Sequence, residues 1–174
     1  MAKLPILINP EPALQTKSES VGEVNSAVRK QMQDMLETMY DAPGIGLAAN
    51  QVNVLNRVLV MDLADTAKGE DKSPICMANP EIIWESDNLS SWNEGCLSLP
   101  EHYAEVKRPA IVRVKYLDEN NDLQEGEFEG LASHCVQHEI DHLNGIVFTD
   151  HLSRLKRNII LKKVAKIKKG MDIL

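Results

Sequence analysis

The sequence predicts one domain in which helices and strands occupy separate stretches of the chain. Helical periodicity is confined to residues 25–41 and to the region beyond residue 130, whereas extended, apolar or alternating segments recur between 57 and 128. No repeat, low-complexity run or domain boundary interrupts the 174 residues, a length suited to one good core. The hydrophobic content, 43%, is ordinary for a globular chain, but aromatics make up only 4%, so aliphatic side chains and methionines must fill the interior.

The first helix starts at Asn25 or Ser26, either of which can cap it. Val28, Met32, Met35, Leu36 and Met39 then recur at helical spacing, and Asp41-Ala42-Pro43-Gly44 stops it. Gly44 to Gln51 reads as a loop; its two glycines allow close backbone approach, and Gln51 is a side-chain amide able to donate into a cleft. Arg57–Leu63 is a buried strand, followed by a polar loop from Asp65 to Ser73. Ile75–Ala78 and Glu81–Trp84 are short strands separated by Asn79-Pro80, and Asp87–Asn93 is expected to turn. Ala104–Lys107 and Ile111–Leu117 are extended, the latter with Val112, Val114 and Tyr116 on one face. Asp118 to Asn121 makes a hairpin turn into Leu123–Phe128. A second helix spans Leu131–Leu143, with Gly145 as a left-handed cap. The last helix spans about Ser153–Lys168, with Leu155, Ile159, Ile160, Val164 and Ile167 as its apolar stripe and eight lysines and arginines around it.

Composition narrows the function. A formal charge of −7 argues against a general nucleic-acid binder, and specific DNA is not expected as a partner. No apolar run is long enough to span a membrane, so no membrane association is expected. The first ten residues are too short and too proline-broken for a signal peptide. Three cysteines do not make a disulfide framework. A cytoplasmic protein, or the mature form of an organellar one, is expected. The basic face of the last helix is either solvated or a docking face for a polyanion.

The chemistry centres on Gln137-His138-Glu139-Ile140-Asp141-His142. Two histidines four apart lie on one helical face, about 6 Å apart along the axis, where both rings can hold one metal ion. A glutamate after the first histidine can move protons for a water on that metal. A catalytic site of this kind wants a third protein ligand and an open position. A histidine six residues after the second is ruled out by Phe148, and no glutamate follows Glu139. Cys135 shares the helical face but lies about 7.5 Å down the axis, too far for its short side chain, and is expected to line a pocket or pack. Cys76 sits in an apolar strand. Cys96 remains, in Glu94-Gly95-Cys96-Leu97-Ser98, with Asp150 and His151 as alternatives.

Gly44-Ile45-Gly46-Leu47-Ala48-Ala49-Asn50-Gln51, Glu94-Gly95-Cys96-Leu97-Ser98 and Gln137-His138-Glu139-Ile140-Asp141-His142 together resemble the three ordered motifs of the peptide deformylases, and their order and intervals match along nearly the whole chain. The resemblance implies an α+β fold, with antiparallel β-sheets around a central metal-binding helix and helices at both ends. It implies Cys96, His138 and His142 as metal ligands and Glu139 as the proton carrier for a metal-activated water. Gln51 and the Leu97 backbone N–H become oxyanion donors. Ile45, Gly46, Glu94, Leu131 and Cys135 become the walls of the substrate site. The substrate so implied is the formyl-methionine end of a new polypeptide, and the product is formate. The implied cofactor is one divalent ion, natively ferrous iron, with zinc, nickel or cobalt as substitutes. If the lysines of the last helix are a docking face rather than a solvated one, a ribosome is the expected polyanion. Two residues depart from the family pattern. Tyr103 stands where many members have an arginine that helps hold the peptide, and His134 puts a polar ring beside the methionine pocket. Two rival classes are a zinc peptidase, and a structural metal module that docks through the basic helix and has no use for Glu139 or Gln51.

Overall fold

The computed structural model describes residues 2–172. Helix α1, Ser26–Asp41, is capped by the Asn25 side chain, which accepts from the Val28 N–H at 3.0 Å. Strands β1 (Gly46–Ala48), β2 (Val58–Met61), β3 (Ile75–Glu85), β6 (Ile111–Leu117) and β7 (Leu123–Glu129) form one antiparallel sheet in the order β1-β2-β3-β6-β7. Strands β4 (Leu89–Cys96) and β5 (Leu99–Pro109) form a separate hairpin. Helix α2 (Gly130–Leu143) and helix α3 (Arg154–Asp172) follow.

The continuous apolar run of β2 has a direct cause, because the sheet is covered on both faces. Val58 and Val60 pack under α1 with Met32, Met35 and Met39. Leu59 and Met61, pointing the other way, pack under α2 with Val136, Ile140 and Leu143. A third cluster joins the hairpin to α3 through Leu99, Val106, Phe148 and Val164. Helix α2 is thus held between the large sheet and the hairpin, in the expected α+β arrangement. Gly145 ends it at φ +76°, where an added Cβ would lie 2.6 Å from the Gln15 carbonyl oxygen.

Several boundaries differ from expectation. Residues 75–85 form one strand, not two. Asn79 (φ +50°) and Pro80 make a bulge in its pairing with β6, where a residue without an N–H is tolerated. The Asn79 amide fastens this bulge to both backbone groups of Val21 at 2.8 Å. Only the start of 87–93 turns; Leu89 onward is β4, whose exposed polar residues hid its extended register with β5. For the same reason β5 outruns the expected 104–107. Residues 46–48 form a short edge strand instead of a plain loop, followed by a 3₁₀ turn over Ala49–Val52. In α3, Ile160, Leu161 and Val164 face the core, whereas Leu155 and Ile159 of the expected stripe are 71% and 46% exposed. Among the described residues no helix is long and apolar enough to cross a membrane.

Candidate metal centre

Four of the segments just described meet at a cleft of 560 Å³ beside α2. Its wall includes Ile45, Gly46 and Gln51 from the β1 region, Glu94, Cys96 and Leu97 from the hairpin, and Leu131, Cys135, His138 and Glu139 from α2. Residues 131, 135, 138 and 139 fall on one face because 3.6 residues make a turn. Every residue expected in the substrate walls therefore borders the cleft. Gly46 is required by close approach: a Cβ there would lie 2.6 Å from Glu139 Oε1 and 2.9 Å from the Cys135 sulfur. Cys135 lines the cleft, with its thiol 3.6 Å from the Ile45 carbonyl.

At the floor, Cys96 Sγ and the ring nitrogens of His138 and His142 all lie within 4.8 Å of one another, with Cys96 Sγ 3.2 Å from His142 Nε2. Tetrahedral ligation at 2.0–2.3 Å places ligand atoms about 3.3–3.8 Å apart, so the donor set fits a small divalent ion. Asp150 and His151 do not join it. Asp150 pairs with Arg157 at 3.0 Å, and His151 with Asp141 at 2.8 Å.

Electrostatics also fits a cation. Burial works against a charge on His138, yet Cys96 and the Glu94 carboxylate hold its pKa well above that of an ordinary histidine. Burial, with His138 and Arg108, drives His142 well below, leaving it a neutral ligand. Burial chiefly pushes the Glu139 carboxyl up to about 7, Glu94 and Asp141 adding to the rise while His138 and Arg108 oppose it. Glu139 Oε1 lies 4.0 Å from His138 Nε2, and Oε2 is buried with no hydrogen-bond partner among the described residues. The Gln51 amide is oriented by its own oxygen, which accepts from the Ala48 N–H at 2.9 Å. Its nitrogen then points to Ser98 Oγ at 3.1 Å and to Cys96 Sγ at 3.6 Å.

Glu94 borders the cleft, but its carboxylate is turned inward. Oε1 accepts from His138 Nδ1 at 3.0 Å and from Arg108 Nη2 at 2.9 Å. Oε2 accepts from Arg108 Nε at 2.7 Å and from His134 Nδ1 at 2.9 Å. Burial alone would raise this carboxyl; the hydrogen bonds from His138 and Arg108 hold it well below the usual carboxylate range. Such an outer partner fixes the tautomer of a ligating histidine, with Nδ1–H donating and Nε2 free for the metal. Arg108 also reaches Asp141 at 2.8 Å. Sequence reasoning missed Arg108 and Ser98. Arg108 lies in an extended segment with no local motif, and Ser98 closes the Glu94–Ser98 motif without a role of its own in it; the buried carboxylate and amide they serve reveal them. His134 is a buried, fully bonded histidine and no part of the group of metal-ligating side chains. Tyr103 is exposed at the cleft rim.

The Polypeptide deformylase family model matches residues 3–158. The peptide deformylase of Methylocella silvestris is 56% identical over 169 residues, covering 95% of this chain and 85% of that protein. That of Phenylobacterium zucineum is 54% identical over 166 residues, covering 95% and 97%. The crystal structure of peptide deformylase from Ehrlichia chaffeensis superposes with a TM-score of 0.92 at 38% identity, covering 99% of this chain and 100% of that one. A second structure of the Ehrlichia chaffeensis protein, in complex with actinonin, superposes with a TM-score of 0.90 at 40% identity, covering 95% and 98%.

Proposed function

The chain belongs to the polypeptide deformylase family, enzymes that remove the N-formyl group from nascent peptides, and we propose how its own residues divide that reaction. The assignment rests on one observation above all: Cys96, His138 and His142 converge at the floor of a cleft that also holds Glu139. These three residues hold a divalent ion. When bound, the ion lowers the pKa of water in its open position and so supplies a nucleophile near neutral pH. Glu139 Oε2 takes the proton of the attacking water and passes it to the departing amine nitrogen. Gln51 Nε2–H and the Leu97 backbone N–H donate to the formyl oxygen as it gains charge. The water oxygen bonds to the formyl carbon, the C–N bond breaks, and formate and a free α-amine leave. Ile45, Leu131 and Cys135 form the pocket for the methionine side chain, and Gly46 lines the cleft beside it. Glu94 acts at one remove, through His138.

The test is formate release from a formyl-Met tripeptide by protein purified without oxygen and reconstituted with ferrous iron. Glu139→Ala should lower kcat by about 10²–10⁴-fold while keeping its metal. A folded, metal-loaded variant with undiminished turnover would overturn the role of Glu139. A thiolate-and-imidazole set suits iron and zinc alike; we assign ferrous iron as the native ion, with zinc, nickel or cobalt as substitutes. Metal analysis of the anaerobically purified protein checks this. Residues 1–174 act as a single catalytic domain, working in the cytoplasm on chains as they emerge.

Helix α3 is the docking face for the ribosome. Arg154, Lys156, Lys162, Lys163, Lys166 and Lys169 are exposed on it, while Arg157 and Lys168 are engaged with Asp150 and Glu11. Because Val164 is buried, removing the helix would open the third core cluster, so charge reversal is the cleaner test. Lys162→Glu, Lys163→Glu and Lys166→Glu together should weaken ribosome co-sedimentation at least tenfold, with tripeptide turnover unchanged. Unchanged co-sedimentation would refute the docking.

A further inference from the structure

His134 is not needed as a metal ligand, and an aliphatic residue would suffice as a cleft wall. Yet a 1% exposed imidazole stands there, and a buried polar ring is costly unless its nitrogens are bonded. Both are. Nδ1 meets Glu94 Oε2 at 2.9 Å, and Nε2 meets Ser90 Oγ at 2.9 Å. An ionised carboxylate only accepts, so His134 carries its proton on Nδ1 and donates it to Glu94. Nε2 is engaged by the Ser90 hydroxyl, which can give or take that hydrogen bond. The ring is fixed at both ends and offers the cleft no free polar atom.

The other end of Glu94 is what the metal centre depends on. Its Oε1 accepts from His138 Nδ1, and its Oε2 is shared between Arg108 Nε and His134 Nδ1. Arg108 grips the carboxylate at both oxygens, through Nε and Nη2; losing the His134 donor leaves that fork without a second donor on Oε2, so the fork and carboxylate can shift together relative to His138. We propose that His134, aligned by Ser90, is a positioning residue: it sets the plane of Glu94 and thereby the direction of His138 Nε2 toward the metal. A chain of hydrogen bonds thus runs from a serine on hairpin strand β4 to a ligand on α2. Its significance for the enzyme is that the hairpin and the metal ligand share one rigid polar frame. This proposal rests on the assignment of Cys96, His138 and His142 as metal ligands.

Zinc-loaded protein tests it in two readouts: the rate of zinc release to a chelator, and the downfield imidazole N–H resonance of His138. His134→Leu removes the donor at similar bulk. His134→Asn keeps a donor near the Nδ1 position. Outer partners of metal-bound histidines typically contribute about 10–100-fold, and a group one bond further out should contribute less, about 3–10-fold. His134→Leu should therefore release zinc about 3–10-fold faster, shift the His138 resonance, and lower kcat with KM for a formyl-Met tripeptide within about twofold. His134→Asn should restore retention most of the way. Ser90→Ala, on an exposed hairpin, tolerates substitution even if His134→Leu does not fold, and should give an effect of the same sign of about 2-fold. A folded His134→Leu with wild-type zinc release and an unmoved resonance overturns the proposal. So does His134→Asn behaving like leucine, which marks a packing role, or an unaffected Ser90→Ala if the leucine variant fails to fold. A wild-type chain that takes up no zinc, or a His138→Ala variant that holds it as tightly, overturns the ligand assignment as well.

Discussion

Helices α2 and α3 lie in the same third of the chain and are built on opposite terms. Helix α2 buries ten of its 14 residues, among them two histidines of the metal centre, Glu139, His134 and Gln137. Helix α3 has 19 residues and fully buries only Val164. The first has its polar groups fixed by partners from the hairpin and from β1. The second rests on the hairpin by one stripe and keeps its charges in water. The contrast teaches where specificity is stored: in α2 the side chains of His134, Gln137 and His138 are held by residues distant in sequence, whereas in α3 most positions answer only to solvent.

The sharpest way to break this contrast is to take away a distant residue on which α2 relies. Arg108 is 4% exposed and stands between Glu94 and Asp141. Arg108→Met leaves both carboxylates in a low-dielectric interior without their cation. Breaking a buried ion pair from one side costs about 3–5 kcal/mol, and the loss should appear in urea denaturation of the metal-free protein. Zinc retention should fall with it, because Glu94 then holds His138 without the guanidinium that fixes the carboxylate. A loss under 1 kcal/mol would mean that Glu94 finds another partner and that α2 is less constrained than its contacts indicate.

Arg108 also marks what the sequence could and could not tell. That Cys96, His138 and His142 come together was legible in part, because helical spacing puts the two histidines on one face; the residues alone left Cys96, Asp150 and His151 open as the third donor, and only the fold brings Cys96 there. Helix α1 was legible from its cap and its methionine stripe, and β2 from its apolar run. The partners of Glu94 were not, since they come from positions 108, 134 and 138, and nothing local in β5 marks Arg108 as buried. Strand β4 was misread because both its faces carry polar residues such as Ser90, Ser91 and Asn93, which periodicity cannot distinguish from a turn. The edge strand at 46–48 was missed because it is three residues long and begins on a glycine. In α3 the periodicity was real but only part of the expected stripe faces inward: Ile160 and Val164 do, Leu155 and Ile159 do not, and packing against Leu99, Val106 and Phe148 makes that selection.

That selection can be tested at intermediate cost. Val164 is fully buried against the hairpin cluster. Val164→Ala removes two methyl groups and leaves a small cavity, an expected loss of about 2 kcal/mol by urea denaturation. Tripeptide turnover below the unfolding transition should change by less than about twofold, because Val164 does not line the cleft.

The smallest effect should come from the other side of the same helix. Leu155 and Ile159, one turn apart, are both solvent-exposed despite fitting an apolar stripe by spacing alone. If their exposure is the true phase of α3, Leu155→Ser with Ile159→Ser should change stability by about 0.5 kcal/mol or less, the range for surface sites without special partners. The measurement is the urea midpoint of the double variant beside that of Val164→Ala. A loss of about 2 kcal/mol or more in the double variant would mean that α3 is rotated about its axis relative to the arrangement described, and the docking face assigned to its lysines would rotate with it.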